Sequence, residues 1–474
     1  MRKEYRAHPL MIWSLMKPFL FVLLFPFVKA LLSYAVDGKI NNILGLEILM
    51  VVMLTAIAIA RWLAFRVSID EKTIYIRMGI IFVKTAEIEL SKLSSVQIEK
   101  SPIDAVFGAV TYKVNTEAGS KNSSDFRFKL SLRNSKEISK NLYKGQAVSK
   151  LRVSAFRVAF LAAATSSAFT GMIVGVPIIN QAGKLLGVGF NKIYEEIAIV
   201  SSRIQNYFPP VVNTVSLILL LAYAVSFVYL FIKYINFKLT LGEDKIEVKS
   251  GFFVRTWTYF KKRCIKNVTV EQTPLLHLFK RYSMKVSVGG FGESKGASQV
   301  IVPVERRKEI NRDFSLYFPF LKPQGKVLRP NHRAEVRNRF LFFPAIYLLL
   351  VLAIAVISAV IFTEFSRFIF FLTVICLLFV FYYAYMNMYE FNYGKLTLGN
   401  NIYIRGTTFF KAREIYCPKE NIGQIKILQM GFDLMQNTCL VRFTVCSEQA
   451  DSIRLRYMDY EKATESIYKC FIDE

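Results

Sequence analysis

The feature that most constrains this chain is the recurrence of long apolar runs. A helix needs about 20 apolar residues to cross the hydrocarbon of a bilayer. Runs of that length occur at about 15–36, 44–62, 154–179, 211–233, 340–362 and 367–389. The fourth reads VVNTVSLILLLAYAVSFVYLFI and holds no charge. The first is weaker, because Lys17, Pro18, Pro26 and Lys29 interrupt it. It is too long and too poorly ended for a cleaved signal peptide. Taken in pairs, the runs predict six transmembrane helices in three hairpins.

Charge orients them. The chain carries 62 Lys and Arg against 35 Asp and Glu, a formal net charge of +27. In a soluble protein that excess would suggest nucleic acid. Here the apolar runs are almost uncharged, so the basic residues crowd into the connecting segments. With a cytoplasmic amino terminus, the outside segments are about 36–44, 180–210 and 363–367, and they are nearly charge-balanced. Basic clusters precede the first, third and fifth runs: Arg2, Lys3 and Arg6; Lys150, Arg152 and Arg157; Arg329, Arg333, Arg337 and Arg339. Cytoplasmic flanks are basic in this way. The pattern predicts a multi-pass bacterial cell-membrane protein with both termini cytoplasmic, whose charge meets anionic inner-leaflet lipid and not nucleic acid.

Each hairpin is followed by a polar segment. The organisation reads as hairpin 1–65, β-rich segment 66–150, hairpin 151–235, segment 236–325, hairpin 326–390 and segment 391–474. The first two segments superpose without a gap at an offset of 172: Ile74 meets Ile246, Gly79 meets Gly251, Val96 meets Val268, Pro102 meets Pro274 and Phe107 meets Phe279. An ungapped register over so long a stretch marks a structural repeat. The third copy is more diverged, with NNIYIRG echoing EKTIYIRMG and IKILQM echoing VTVEQT. Within a copy, KTIYIRMG, SVQIEKS and TYKVNTEAG alternate with period two and predict strands. Gly79 and Gly251 fall where a turn needs positive φ. A helical stretch closes each copy, with Asn134 or Ser135 and Asp459 as candidate caps.

A hairpin followed by a strand-rich unit with the pattern EKSPIDAVFGAVTYKVNTEAG resembles the bacterial pleckstrin-homology-like, membrane-flanked domain family of the YdbS/YdbT type. The resemblance covers nearly the whole chain, and three copies look like the larger, YdbT-like members. The second copy has Lys280 where the first has Gly108, and the third has Gly431 at the proline position. The resemblance implies a seven-stranded PH-like barrel capped by a carboxy-terminal helix in each copy. It also implies a smaller one-domain YdbS-like relative as partner, and no defined reaction.

Candidate sites are few. GGFGESKG at 289–296 looks like a phosphate loop, but strands flank it, and such a loop needs a following helix. A basic surface near the early strands comprises Arg77, Lys84, Lys249, Arg255, Lys261, Lys262, Arg263, Arg405, Lys411 and Arg413. It predicts attraction to an anionic lipid surface, about 1 kcal/mol per residue. Lys29 and Glu47 fall at similar depth in the first hairpin and form a candidate intramembrane charge pair. Residues 180–210 can form an amphipathic helix. The six cysteines include no CxxC, and the histidines are only His8, His277 and His332, so neither a metal nor another cofactor is expected.

The chain therefore reads as a non-enzymatic membrane scaffold or envelope-protection protein. Its three cytoplasmic modules bind a protein partner and the anionic leaflet, and a homo-oligomer is compatible. The alternative is a transporter or lipid-moving protein, which would need polar residues facing the bundle interior.

Overall fold

The computed structural model describes residues 4–17, 43–70, 73–79, 83–116, 126–142, 148–167, 210–289, 298–332, 334–361, 366–408, 411–446 and 451–471. Two compact units divide the chain, and the division does not follow the repeat. One unit holds Met1–Leu151, Lys238–Cys264 and Gly289–Ser294; the other holds Arg152–Phe237, Ile265–Val288 and Lys295–Glu474.

The first unit opens with β1 (Glu4–Arg6) and the apolar helix α1 (Ile43–Ala64). Then come β2 (Arg66–Ile69), β3 (Thr73–Met78) and β4 (Lys84–Glu89), which with β1 form an antiparallel four-stranded sheet in sequence order. In β3, Ile74 and Ile76 are buried while Arg77 is exposed, as period-two alternation demands. Next are β5 (Leu93–Lys100), the one-turn helix α2 (Pro102–Val106), β6 (Ala109–Thr116), β7 (Phe126–Ser131) and α3 (Leu132–Leu142). One core joins these layers, with Val67, Ile76, Val96, Tyr112, Leu130 and Ile138 all buried in it. The cap of α3 is not Asn134 or Ser135. The helix starts earlier, and the Asn134 N–H donates to Ser131 Oγ at 3.4 Å.

The same unit contains β8 (Ser149–Arg152, whose last residue belongs to the second unit), β9 (Lys238–Leu241), β10 (Lys245–Ser250) and β11 (Arg255–Lys261). These strands belong to the second copy or lead into it, yet they join copy 1 in a seven-stranded sheet ordered β7-β6-β5-β11-β10-β9-β8. Gly79 and Gly251 end β3 and β10 with φ of 106° and 101°. At Gly251 a Cβ would come within 2.0 Å of the Val254 carbonyl oxygen, so only glycine fits that turn.

The second unit repeats the arrangement one step further on. It has α4 (Ala155–Thr165), α5 (Pro210–Tyr234), β12 (Ile265–Gln272), α6 (Pro274–Leu278), β13 (Arg281–Val288), β14 (Gln299–Arg306) and α7 (Arg307–Tyr317). It continues through β15 (Lys326–Leu328), α8 (Ala334–Ile361), α9 (Ser366–Tyr393), β16 (Lys395–Leu398), β17 (Asn401–Thr408) and β18 (Lys411–Pro418). It ends with β19 (Ile422–Leu428), α10 (Gly431–Met435), β20 (Thr438–Val445), β21 (Asp451–Asp459) and α11 (Tyr460–Phe471). Its sheet runs β14-β13-β12-β18-β17-β21-β20-β19, so the last strands of copy 2 pair with copy 3. Asp459 accepts from the Lys462 N–H at 3.2 Å and caps α11.

The expected fold class, six transmembrane helices in three hairpins each followed by a separate capped barrel, needs correction. The described chain is dominated by three sheets. Among the described residues, three helices are long and apolar enough to cross a membrane: Ser216–Tyr234, Pro344–Ile361 and Leu372–Tyr393. Among the described residues, α8 and α9 are the pair of such helices that form a hairpin. Within the run at 154–179, the described residues hold one short helix, and 168–179 lie outside them. That helix stops at Thr165, where the Thr165 hydroxyl bonds back to the Leu161 carbonyl at 2.7 Å and Ser166 turns to an extended backbone. Its apolar face, with Val158 and Leu161 buried, packs with Leu276, Val300 and Val304. In α1 the stretch Leu49–Ala64 is the part whose side chains are described. Most of the first run, 18–36, lies outside the described residues, as do Lys29 and the segment 180–209.

Candidate functional site

Two kinds of exposed apolar tip stand on the described surface, the first described in one copy and the second in all three. The first lies between β10 and β11. The left-handed Gly251 throws the chain into a tight turn that leaves Phe252, Phe253 and Val254 exposed, the two rings meeting edge to face at 5.1 Å. Lys249 and the exposed Arg255 flank the turn. The sequence repeats the pattern at Gly79–Lys84 and Gly406–Lys411, although 80–82 and 409–410 lie outside the described residues.

The second tip is the one-turn helix after β5, β12 and β19. In copy 1, Ser101 and Asp104 form a capping box, with Asp104 N–H donating to Ser101 Oγ at 3.1 Å. Asp104 also takes Lys129 as ion-pair partner. The helix leaves through a left-handed residue in every copy: Gly108 (φ 67°), Lys280 (φ 53°) and Asn437 (φ 52°). That geometry pushes the last helical residue outward, so Val106, Leu278 and Met435 are 80%, 74% and 86% exposed. Beside Leu278 in the second unit, His277 stacks edge-on against Tyr385 and Tyr389 of α9, each at 5.3 Å. Phe279 meets Phe160 of α4 at 5.1 Å. The copy 2 tip therefore touches the end of a membrane-length helix. These tips were missed in the sequence, although three equivalent large apolar residues before a glycine, lysine or asparagine were the available signal.

The basic residues expected to form one surface have different fates. Arg77 and Lys84 are exposed on β3 and β4, and Lys249 pairs with Glu247 at 2.9 Å. Lys262 is half-buried in a turn after β11. Lys261 and Arg263 reach across to copy 1 and bond the Ser91 carbonyl, the lysine at 2.7 Å. In the second unit, Arg413 faces Glu271 at 3.7 Å, and Lys411 lies in the same field. Glu271 is almost fully buried. Burial raises its pKa, but Lys285, Arg413 and Lys411 outweigh burial and hold it below its ordinary value.

Arg405 is likewise turned into the protein. Its guanidinium donates to Tyr389 Oη at 2.7 Å and lies 3.4 Å from Glu414. Glu414 also receives a two-pronged bond from Arg307, at 2.7 and 2.9 Å, and the Tyr416 hydroxyl at 3.2 Å. Arg307 belongs to the closing helix of copy 2 and Glu414 to copy 3, so this buried cluster fastens one copy to the next. Burial alone would lower the Arg307 pKa, but Glu414 raises it above its ordinary value. The Glu47 side chain lies outside the described residues. Of GGFGESKG only Gly289 is described.

Among the described residues, no cluster of three or more His, Cys, Asp or Glu is placed to hold a metal. The six cysteines are thiols. Burial pushes Cys417 and Cys439 up to about 12, so neither is a ready nucleophile.

Comparison with known proteins gives one match. A family profile described as bacterial PH domain matches residues 19–146 and again 188–315. No curated protein matches, and neither does any solved structure. The two matched stretches together cover more than half of the chain, and each contains a full set of early and late strands of one copy. The chain belongs to the bacterial PH domain family.

Proposed function

We propose that this protein is a membrane-anchored, non-catalytic scaffold whose PH-like copies rest against the anionic inner leaflet and bind a protein partner. Within the family we read it as a larger, YdbT-like member of the cell membrane. Both termini are then cytoplasmic, and a smaller one-domain relative is the companion. The observation that carries the reading is the turn at 251–255. Two phenyl rings and a valine stand clear of the sheet with Lys249 and Arg255 beside them. Apolar knobs flanked by basic residues suit the boundary between headgroups and acyl chains. The contact of His277 with Tyr385 and Tyr389 supports it, because it sets a second tip beside the end of an apolar helix. Helices of spanning length supply the anchor.

A lipid-labelling experiment tests this. In nanodiscs of phosphatidylethanolamine and phosphatidylglycerol carrying a photoactivatable acyl chain, peptides spanning 251–255 become labelled. Replacing Phe252 and Phe253 by serine removes that label, and replacing the phosphatidylglycerol by phosphatidylcholine weakens it several-fold. Absence of label at 251–255 in the unaltered protein would defeat the lipid-facing reading.

A further inference from the structure

The two joints between copies share one geometry. At the first, β11 pairs antiparallel with β5, setting Tyr259 opposite Val96 and Trp257 opposite Ile98. Both aromatics pack on the core of copy 1, and Val96 and Ile98 are only 4% and 5% exposed. At the second, β18 pairs with β12 and sets Tyr416 opposite Val268. Phe314 of α7 covers Tyr416 with ring centroids 4.2 Å apart, and Val268 and Val270 are buried completely or nearly so. In both joints an aromatic side chain from the incoming strand lies at the rim of the preceding copy, opposite a buried valine of its edge strand.

Copy 3 has the same rim with nothing in it among the described residues. The pairing of Ile427 with Val441 on β20 matches that of Ile98 with Tyr112 on β6. By that register Ile425 and Ile427 stand where Val96 and Ile98 stand. Yet among the described residues β19 is the last strand of its sheet, paired with β20 alone. Ile425 and Ile427 are only partly buried, and Leu428 is 43% exposed. An apolar strand edge in this condition is a template for a further strand.

We propose that β19, together with α11, is a docking socket for the edge strand of another PH-like module. That strand runs antiparallel and places an aromatic side chain opposite Ile425. The inference rests on the protein-binding half of the proposed function and gives it a place and a chemistry. The occupant is a different chain. The leading edge of this chain, β4, carries Glu87 where β11 carries Tyr259, and Thr85 where it carries Trp257. Lys84, Glu87 and Glu89 are all exposed there, and such charges blunt an edge.

The test uses the full chain in mild detergent and a synthetic peptide of residues 254–262 bearing a photoreactive group. Cross-links are expected on 422–428. The Tyr259→Glu peptide and a peptide of residues 83–90 should each label that strand at least tenfold less. Ile425→Glu in the protein should reduce labelling to the same extent, with an unfolding scan confirming that the variant is folded. The peptide comparison stands even if that variant is unstable. Equal labelling by the three peptides, or self-association of the chain through β4, overturns the proposal. Labelling elsewhere on the chain overturns the socket and leaves the scaffold reading standing, whereas no labelling anywhere overturns the socket and the protein-binding half of that reading together. The lipid-labelling result is independent of all these.

Discussion

Glu414 shows how much one buried carboxylate can hold. Its side chain is 4% exposed and bonded to Arg307 and Tyr416, with Arg405 close by. Removing one member of a buried pair leaves the other charge uncompensated, which costs about 3–5 kcal/mol. Glu414→Gln is therefore expected to lower the melting temperature strongly, while Glu420→Gln, at an exposed position just past the end of β18, leaves it unchanged. Differential scanning fluorimetry in detergent would read both. Glu305 gives a prediction of opposite character. Burial and a hydrogen bond shared with Glu309 raise its pKa, Arg157 only partly opposes them, and the net result is a value of about 7. The folded form thus holds a proton on Glu305 that the unfolded chain releases above the ordinary carboxylate range. With more protons bound in the native state, stability falls as pH rises from about 4.5 to about 7. Glu305→Gln should flatten the melting temperature across that window. An unaltered slope would show that another group governs it.

At the scale of elements, strand pairing between copies is what no single-chain pattern revealed. Period-two alternation located the strands, and the turns at Gly79 and Gly251 follow from it, because both rest on neighbours in sequence. The partner of an edge strand is set by residues some 160 positions away, and alternation is the same whether Tyr259 faces solvent or Val96. Arg405 and Arg413 looked like surface charge for the same reason, since Glu414 and Glu271 become their neighbours only on folding. The apolar run at 154–179 was ambiguous in another way. Leu161 buried in a protein core and a leucine facing lipid read alike, and only the serines after Thr165 hinted at an end. The joint itself can be weighed. Tyr259→Ala opens the rim of copy 1, and truncating a partly buried aromatic at such a site costs roughly 2–3 kcal/mol. Amide exchange should then quicken in β5 as well as β11. Faster exchange in β11 alone would mean that the joint contributes little.

For the whole molecule, the unit of stability is the sheet and not the repeat. Copy 2 is divided between the compact units, with β9–β11 in one and β12–β14 in the other. Cooperative opening tends to follow contiguous packed strands. A pair of small core deletions distinguishes the two descriptions, because both lie in copy 2. Val248 is buried on β10, inside the seven-stranded sheet that ends in copy 1; Val286 is buried on β13, inside the sheet that continues into copy 3. Each truncation to alanine should cost on the order of 1–2 kcal/mol. With Val248→Ala, exchange is expected to quicken in β5 and β6, more than 130 residues upstream in sequence. With Val286→Ala, the increase is expected in β17 and β18, more than 110 residues downstream. If sequence repeats were the folding units, both substitutions would loosen the same strands, β9 through β14, and leave copies 1 and 3 untouched. Mass-spectrometric exchange on the two variants separates these outcomes, because the strands in question fall in different peptides.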